Sequence, residues 1–184
     1  VTFDGTTEAF FAMRNFGIER GRRFSDSDAD SFNHVAVLGS EIAKTLFGER
    51  DPVGKTVRLK DISFRVIGVL ETKGIGPFGV DQDNLVLIPI TIASSQLLGI
   101  DHYNVITVEV GENYSAEFAS ARVTSVIRQN HRVTDPDKDD FTVRTQADAL
   151  SLLGNITSIL TVFLTSIAFI SLIVGGIGIM NIML

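Results

Sequence analysis

Short apolar and alternating segments, separated by turn residues, make up most of the first 148 residues of the chain. Alternation of apolar and polar residues is typical of a strand with one buried face, and apolar positions three and four apart are typical of a helix. On this basis we predict strands over 16–21, 34–39, 55–60, 63–71, 84–89, 103–111 and 141–145, and helices over 41–47, 91–98 and 115–130. Because the two types mix without strict alternation, the sequence favours an α+β fold.

The helix predicted over 115–130 has a distinct apolar stripe. Phe118, Val123, Val126 and Ile127 recur at helical spacing, so we expect them to be buried. With the strands predicted on either side, the segment 104–145 has the order strand, helix, strand.

The last 36 residues, from Ala149 to Leu184, contain no charged residue, and all 38 charged residues lie at or before Asp148. A run of about 18 apolar residues is enough to predict a membrane-spanning helix. At about 1.5 Å per residue, a helix of this length exceeds the roughly 30 Å hydrocarbon core, so we expect its early part to stand in the membrane interface. We therefore predict a transmembrane helix over 149–184, truncated at the end of the sequence, in contact with the lipid bilayer.

Small and hydroxylated residues form one stripe along this helix. Small side chains let helix backbones approach each other, and a polar group at depth is expected to face protein rather than lipid. Ser, Thr and Gly are also ordinary on lipid-facing helices, which is the alternative interpretation. The predicted helix-packing seam consists of Thr157, Thr161, Thr165, Ala168, Ser171, Gly175, Gly178 and Asn181.

Composition excludes some functions and leaves others open. The net charge is −6 and the basic residues form no stripe, so we expect no nucleic-acid partner. The absence of cysteine excludes disulfides and cysteinyl metal sites without identifying the compartment. The sequence starts without Met, shows no signal peptide and stops without a polar flank, from which we infer a fragment of a longer membrane protein.

Two glycine motifs resemble nucleotide-binding loops, but their spacing or their neighbouring predicted elements do not match such a loop. Five residues, rather than four, separate Gly48 from Gly54 in "GERDPVGKT", which lies between a predicted helix and a predicted strand, so we interpret it as a helix end followed by a turn. In "GIGPFG" no helix follows to hold a pyrophosphate. We interpret the latter as an exposed candidate partner loop, formed by Gly74, Gly76, Pro77, Phe78 and Gly79.

No motif supports catalysis or metal binding. The carboxylates of "DSDAD" (26–30) and "DPDKDD" (135–140) lack the Gly and Glu of a calcium loop, so we interpret both as solvated turns. The three histidines are isolated, and no serine lies in a nucleophile elbow. We predict that the chain is not an enzyme and has no catalytic, cofactor-binding or metal-binding residues.

Several segments together nevertheless resemble a known family. "GRRFSDSD", "VAVLGSEIAKTLFGERDPVGKTVRL", "FRVIGVLE", "LVLIPI" and "IVGGIGIMNIML" are similar to the extracytoplasmic domain and second transmembrane helix of MacB-type ABC transporter permeases, within the FtsX-like superfamily. The resemblance covers nearly the whole chain and is weakest at 1–15 and 111–140.

The resemblance implies a two-lobed extracytoplasmic domain followed by one transmembrane helix. A βαβ porter-like lobe would comprise 1–18 and 104–147, and an inserted mixed Sabre-like lobe would comprise 19–103. It places 1–147 on the extracytoplasmic side of the bacterial inner membrane.

The resemblance also implies partners. These are a cytoplasmic ABC ATPase, fused or separate, that binds ATP and Mg; a second permease copy; and a periplasmic adaptor, which the loop at 74–79 could contact. In the family, ATP-driven movement of the membrane helices is transmitted to the outer domains for export. We therefore expect a flexible insertion after Ala147 to uncouple hydrolysis from export.

Two other functions remain open from the sequence. Lipoprotein-release and cell-division permeases belong to the same superfamily. In a different class, a membrane-tethered sensor would bind a ligand with its ectodomain and signal through the helix. The full gene and its neighbours would distinguish these, since an adjacent ATPase favours a permease and a cytoplasmic kinase region favours a sensor.

Overall fold

The computed structural model describes residues 2–76 and 81–183, and the chain divides into two compact units, Val1–Thr107 and Val108–Leu184. The first unit contains β1 (Thr2–Thr6), α1 (Ala9–Met13), β2 (Ile18–Gly21), α2 (Asp26–Asp30), β3 (Val35–Leu38), α3 (Ser40–Phe47), β4 (Thr56–Leu59), β5 (Ile62–Leu70), β6 (Leu85–Pro89) and α4 (Ile90–Ile92), which continues as a π-helical turn, Ala93–Leu98. The second contains α5 (Ala116–His131), a 3-10 turn (Pro136–Lys138) and α6 (Gln146–Met183).

One mixed sheet organises the first unit. Its strand order is β1–β6–β3–β5–β2, and β4 also pairs with β5. β1 is parallel to β6 and β3 is parallel to β5, while the remaining pairs are antiparallel. β3 lies at the centre, and all four of its residues are buried. Burial on both faces explains why this segment is apolar throughout instead of alternating.

Each face of the sheet has its own hydrophobic core. One core packs Leu38, Phe64 and Ile88 of the sheet against α3 and α4. The other packs Val37 and Leu87 against phenylalanines of α1 and of the segments around β2, namely Phe11, Phe16 and Phe24. Because β3 contributes to both cores, it fixes the two layers relative to the sheet.

The structure confirms most of the predicted elements of the first unit. The strands near 18, 35, 56, 62 and 85 and the helices near 40 and 90 lie within a few residues of their predicted positions. The segment from Gly48 to Gly54 is a helix end and a turn, with both glycines at positive φ, as predicted. β1 and α1 were not predicted, because "TFDGT" and "AFFAM" are too short for their periodicity to stand out.

The interpretation of "DSDAD" as a solvated turn is wrong. It forms α2, which begins at a capping box between Ser25 and Asp28. Asp28 is only 6% exposed and accepts hydrogen bonds from the backbone N–H of Ser25 and the side chain of Asn33. Nη1 and Nη2 of Arg22 donate to its two carboxylate oxygens at 2.7 and 3.2 Å. This buried carboxylate therefore organises the local chain, whereas a solvated turn would leave it in water.

Two predicted strands of the chain are not strands. Residues 103–111 and 141–145 join no ladder in the described ranges, which leaves their backbone groups without cross-strand partners. The predicted apolar stripe of α5 is correspondingly not buried, since Phe118 is 58% and Val126 43% exposed. α5 itself is present and has its predicted N-cap region, with the Ser115 hydroxyl accepting from the Phe118 N–H.

The division into porter-like and Sabre-like lobes remains a prediction. In the structure, β1 pairs along its whole length with β6, from Thr2 opposite Leu85 to Thr6 opposite Pro89. Residues 2–6 therefore belong to the same sheet as the segment 18–89, and no boundary of the compact units falls between 18 and 19.

We predict that Asp28→Asn destabilises the first unit by about 2 kcal/mol at pH 7, because it leaves Arg22 without its partner; the half-exposed guanidinium keeps the loss below that of a fully buried pair. Hydrogen bonds from Arg22 hold the pKa of Asp28 well below its ordinary value. The contribution of ionised Asp28 to the free energy of unfolding is thus complete above its unfolded-state pKa of about 3.9. It declines as the pH falls below that value toward the folded-state pKa.

Urea unfolding of the two chains between pH 7 and pH 3 measures this difference. Asp61→Asn is the matched control, because Asp61 forms an exposed ion pair with Arg58. The stabilising role of the Asp28–Arg22 pair would be contradicted if the Asp28→Asn chain were as stable as the wild type at pH 7. It would also be contradicted if the difference in unfolding free energy between the two chains grew below pH 4.

Candidate functional site

The start of helix α6 is fixed by a reciprocal set of hydrogen bonds. The N–H and hydroxyl of Thr145 each donate to Oδ2 of Asp148 at 2.8 Å, and the N–H of Asp148 donates to the Thr145 hydroxyl oxygen at 3.1 Å. This is a capping box, which satisfies backbone donors that a helix N-terminus otherwise leaves free. The helix therefore begins at Gln146, three residues before the predicted start at Ala149.

A second set of contacts ties the end of α5 to the segment before the capping box. Arg128 binds Asp139 through two donors, with Nε to Oδ1 at 2.8 Å and Nη2 to Oδ2 at 2.6 Å. Nδ1 of His131 lies 2.8 Å from Oδ1 of Asp140, and its ring packs edge-on against Phe141. Hydrogen bonding to Arg128 holds the pKa of Asp139 below its ordinary value, so the pair is ionised at neutral pH.

These two sets of contacts define a short joint, formed by Arg128, His131, Asp139, Asp140, Thr145 and Asp148. Only residues 141–145 separate the carboxylates bound to α5 from the first residue of α6. Five residues held at both ends can adopt far fewer arrangements than a free linker of Gly and Ser. The joint thus limits how far α6 can move independently of α5.

Helix α6 is long and apolar enough to cross a membrane. It spans 38 residues, and the segment Gln146–Gly175 contains a window with a mean hydropathy of 2.3, none of it buried against the rest of the chain. At about 1.5 Å per residue the helix extends roughly 57 Å, well beyond the hydrocarbon core. This agrees with the predicted transmembrane segment.

The hydroxyl groups of the predicted seam are bonded within the helix. Thr157, Thr161, Thr165 and Ser171 each donate to the carbonyl oxygen four residues earlier, at 2.7 to 2.9 Å. Because these hydroxyls already donate within α6, they need no acceptor on another helix. The seam would then favour helix packing mainly because its side chains are small and let another backbone come close. Ala168 and Gly175 lie on the same exposed stripe. The exposure of Gly178 and Asn181 lies outside what the structure describes. The packing role of the seam remains a prediction.

The predicted partner loop begins at a hydrogen-bonded base. Asp83 is 7% exposed, and its two carboxylate oxygens accept from the N–H groups of Lys73 and Gly74 at 2.8 Å. Ile75, at the start of the loop, is 75% exposed. Gly74 and Gly76 are described, whereas Pro77, Phe78 and Gly79 lie outside the described residues, so partner binding by this loop also remains a prediction.

Within residues 2–76 and 81–183, no three His, Asp or Glu side chains are grouped so that they could hold a metal ion. What these residues present is a folded mixed sheet in one unit and a capped, membrane-length helix in the other. This combination defines a membrane-anchored α+β domain as the class of protein.

Sequence and structure comparisons identify the family. The chain belongs to the MacB-like periplasmic core domain family, whose model matches residues 1–126. It is 40% identical over 184 residues to a macrolide export ATP-binding/permease protein MacB from Rhodospirillum rubrum and 37% identical over 181 residues to one from Marinobacter nauticus. The first alignment covers 100% of this chain and 28% of the Rhodospirillum protein. The second covers 98% of this chain and 27% of the Marinobacter protein. A pyoverdine export ATP-binding/permease protein PvdT from Pseudomonas syringae pv. tomato is 34% identical over 181 residues, 98% of this chain and 27% of PvdT.

Solved structures show the same fold. The periplasmic region of MacB from Actinobacillus actinomycetemcomitans superposes with a TM-score of 0.70 and 25% identity, covering 83% of this chain and 65% of that one. The extracellular domain of the transporter YknZ from Gram-positive bacteria gives a TM-score of 0.57 at 21% identity, over 70% of this chain and 64% of that one, and so supports the fold alone. The predicted α+β fold and the resemblance to MacB-type permeases are confirmed. The chain contains a periplasmic domain of the type found in MacB inner-membrane transporters, together with one apolar helix.

The residues of the joint were largely missed from the sequence. Thr145 and Asp148 have the T-x-x-D spacing of a capping box directly before an apolar run, which is a recognisable signal for a helix start. The partners of Arg128 and His131 lie 11 and 9 residues away along the chain, and sequence spacing across a turn does not predict such pairs.

We predict that Thr145→Val opens the first turn of α6, because valine keeps the shape of threonine but removes the oxygen that accepts from the Asp148 N–H. Hydrogen exchange of the peptide covering 141–150 should become several-fold faster in detergent-solubilised chain. Thr157→Val is the matched control, since its hydroxyl only donates to a carbonyl of its own helix. Equal exchange in wild type and Thr145→Val would show that the capping box does not hold the helix start.

Proposed function

We propose that this chain transmits movement of its membrane helix to its periplasmic domain during ATP-driven export. The observation that supports the proposal most directly is the joint, in which α6 is capped within five residues of carboxylates bound to α5. A displacement applied to α6 reaches α5 through ion pairs and hydrogen bonds instead of being absorbed by a flexible linker.

The mechanical path has three steps in the described residues. Movement of α6 first acts on its capped N-terminus at Thr145 and Asp148. Residues 141–144 are too few to absorb a large displacement, so the movement next reaches Asp139 and Asp140. The two-donor pair with Arg128 resists both stretching and rotation better than a single contact would, because its geometry is fixed at two points.

The energy for this movement would come from outside the chain. The relatives are named as ATP-binding/permease proteins, and this chain covers only 28% or less of their length. We propose that an ABC ATPase domain or subunit binds ATP and Mg and drives the helix, and that a second permease copy completes the working unit. A periplasmic adaptor is a further proposed partner. The chain itself then supplies no catalytic group.

Export is favoured over the alternative functions by the relatives. Macrolide and pyoverdine export appear in their names, and the chain aligns with them along nearly its whole length. Because the relatives are named for different substrates, macrolides and pyoverdine, we propose export without proposing a substrate class.

We predict that a six-residue Gly/Ser insertion after Thr142, made in the full-length transporter, uncouples ATP hydrolysis from movement of the periplasmic domain. This position leaves both the Arg128–Asp139 pair and the capping box intact and lengthens only the joint between them. A spin label at Gln129→Cys, the only cysteine left in the labelled transporter, reports the movement of α5 in the presence of ATP and Mg. Hydrolysis should continue, while the ATP-dependent change in the label signal should be lost.

The same insertion between Glu49 and Arg50 is the matched control, since both residues lie in an exposed turn of the first unit. It should preserve hydrolysis and the label signal at wild-type membrane levels. An unchanged ATP-dependent signal after the insertion at Thr142 would refute transmission through the joint.

A further inference from the structure

Strand β5 has two different neighbours along one of its edges. β4 pairs with its first half and β2 with its second half, and both run antiparallel to it. Where β2 ends, the N–H of Arg22 donates to the carbonyl of Ile67 at 2.9 Å; where β4 approaches, the N–H of Gly54 donates to the carbonyl of Val66 at 2.8 Å. The chain leaves the sheet after Arg22 and another segment enters at Gly54, so the edge is divided at this point.

A groove opens where the edge divides. Its volume is about 750 Å³, within the range of ligand-binding sites, and it is open to solvent. We call it the split-edge groove, and its lining includes Arg22, Asp28, Asn33, Val53, Arg65 and Ile67. The lining therefore combines two guanidinium groups with apolar side chains, in a chain whose overall charge is −6.

Arg22 is held in one orientation. Asp28 accepts from both of its terminal nitrogens, and Nη1 also donates to the carbonyl of Arg23 at 3.1 Å. A guanidinium has five N–H donors, so two remain for a further acceptor. The side chain is 56% exposed, whereas Asp28 is nearly covered, so these donors are accessible from solvent while the carboxylate that orients them is not.

Arg65 provides a second, uncommitted cation. It lies on β5 between two paired strands, with Val35 of β3 and Thr56 of β4 as its register partners, so its backbone is fixed. Its side chain is exposed. In residues 2–76 and 81–183, the arginines that form ion pairs are Arg20, Arg22, Arg23, Arg58 and Arg128. Arg65 is not among them.

An exposed aromatic residue, in an unfavourable backbone conformation, directly precedes Asn33, which lines the groove. Phe32 follows α2 with a φ of +51° and is 50% exposed. The N–H of Asn33 bonds to the carbonyl of Asp28, and that of Phe32 to the carbonyl of Ala29, which is the helix-ending arrangement in which glycine is usual. Half of the Phe32 surface remains exposed there, and strained positions of this kind are characteristic of binding surfaces.

We propose that the split-edge groove binds an extended, acidic segment of a partner protein, with a carboxylate between Arg22 and Arg65 and a neighbouring apolar side chain against Phe32. Two guanidinium groups match a carboxylate, and Ile67 and Val53 beside them match the aliphatic part of a peptide. The net negative charge of the chain opposes polyanions such as nucleic acid and leaves only a local positive site. The proposal is independent of transmission through the joint.

The test measures fluorescence anisotropy of labelled five-residue peptides added to the full chain in detergent micelles. The probe Ala-Leu-Glu-Leu-Ala should bind, and its Gln counterpart should bind about tenfold more weakly, since one charged hydrogen-bonding group is removed. Arg65→Gln should weaken binding of the Glu peptide by a similar factor. Arg58→Gln, a change at an exposed strand arginine that is already paired with Asp61, should leave binding unchanged.

Phe32→Gly separates a binding role from a structural one. It should weaken peptide binding several-fold while Tm stays the same or rises, because glycine adopts positive φ without strain. The proposal is overturned if the Glu peptide fails to bind at millimolar concentration, if Arg65→Gln binds it as well as wild type does, or if inorganic phosphate binds and the peptide does not. Self-association that is lost in Arg65→Gln would identify a second copy as the occupant and would also overturn it.

Discussion

The coupling proposed for this protein depends on one constraint, which is that the membrane helix begins at a fixed point. Four hydrogen-bonding groups of Thr145 and Asp148 satisfy each other at the first turn, and the two-donor pair of Arg128 and Asp139 holds the preceding segment to α5. Neither contact would matter at the end of a long flexible linker, because the linker would absorb any displacement. Both matter here because only residues 140–144 lie between them. The chemistry of the joint is ordinary, and the function proposed for it depends on its shortness.

The first unit meets a different physical requirement. Its central strand β3 is apolar on both faces, so two layers of helices and loops must cover the sheet. Around this core, two buried carboxylates are hydrogen-bonded: Asp28 receives donors from Arg22, Ser25 and Asn33, and Asp83 closes the base of the loop at 74. These two carboxylates fix the loops that lead toward solvent.

The pattern of apolar and polar residues predicted the fold correctly wherever burial alone determines the local structure. The apolar run at 34–39, the hairpin through 55–71 and the uncharged tail were all read correctly because burial and lipid impose residue type directly. Prediction failed where structure depends on a distant partner. Asp28 resembled a solvent-exposed carboxylate until Arg22 was placed beside it, and residues 103–111 and 141–145 alternate like strands but have no described strand to pair with. Arg128 and Asp139 were missed for the same reason, whereas the capping box at Thr145 could have been recognised from its spacing.

The central claim, that the joint is rigid, is tested most directly by double electron–electron resonance in nanodiscs containing the full-length protein. Spin labels at Glu117→Cys on α5 and Asn155→Cys on α6 lie on either side of the joint, and both positions are exposed. A rigid joint predicts a single narrow distance distribution between them in the absence of nucleotide. A broad distribution, comparable to that of a flexible linker of the same length, would contradict the account.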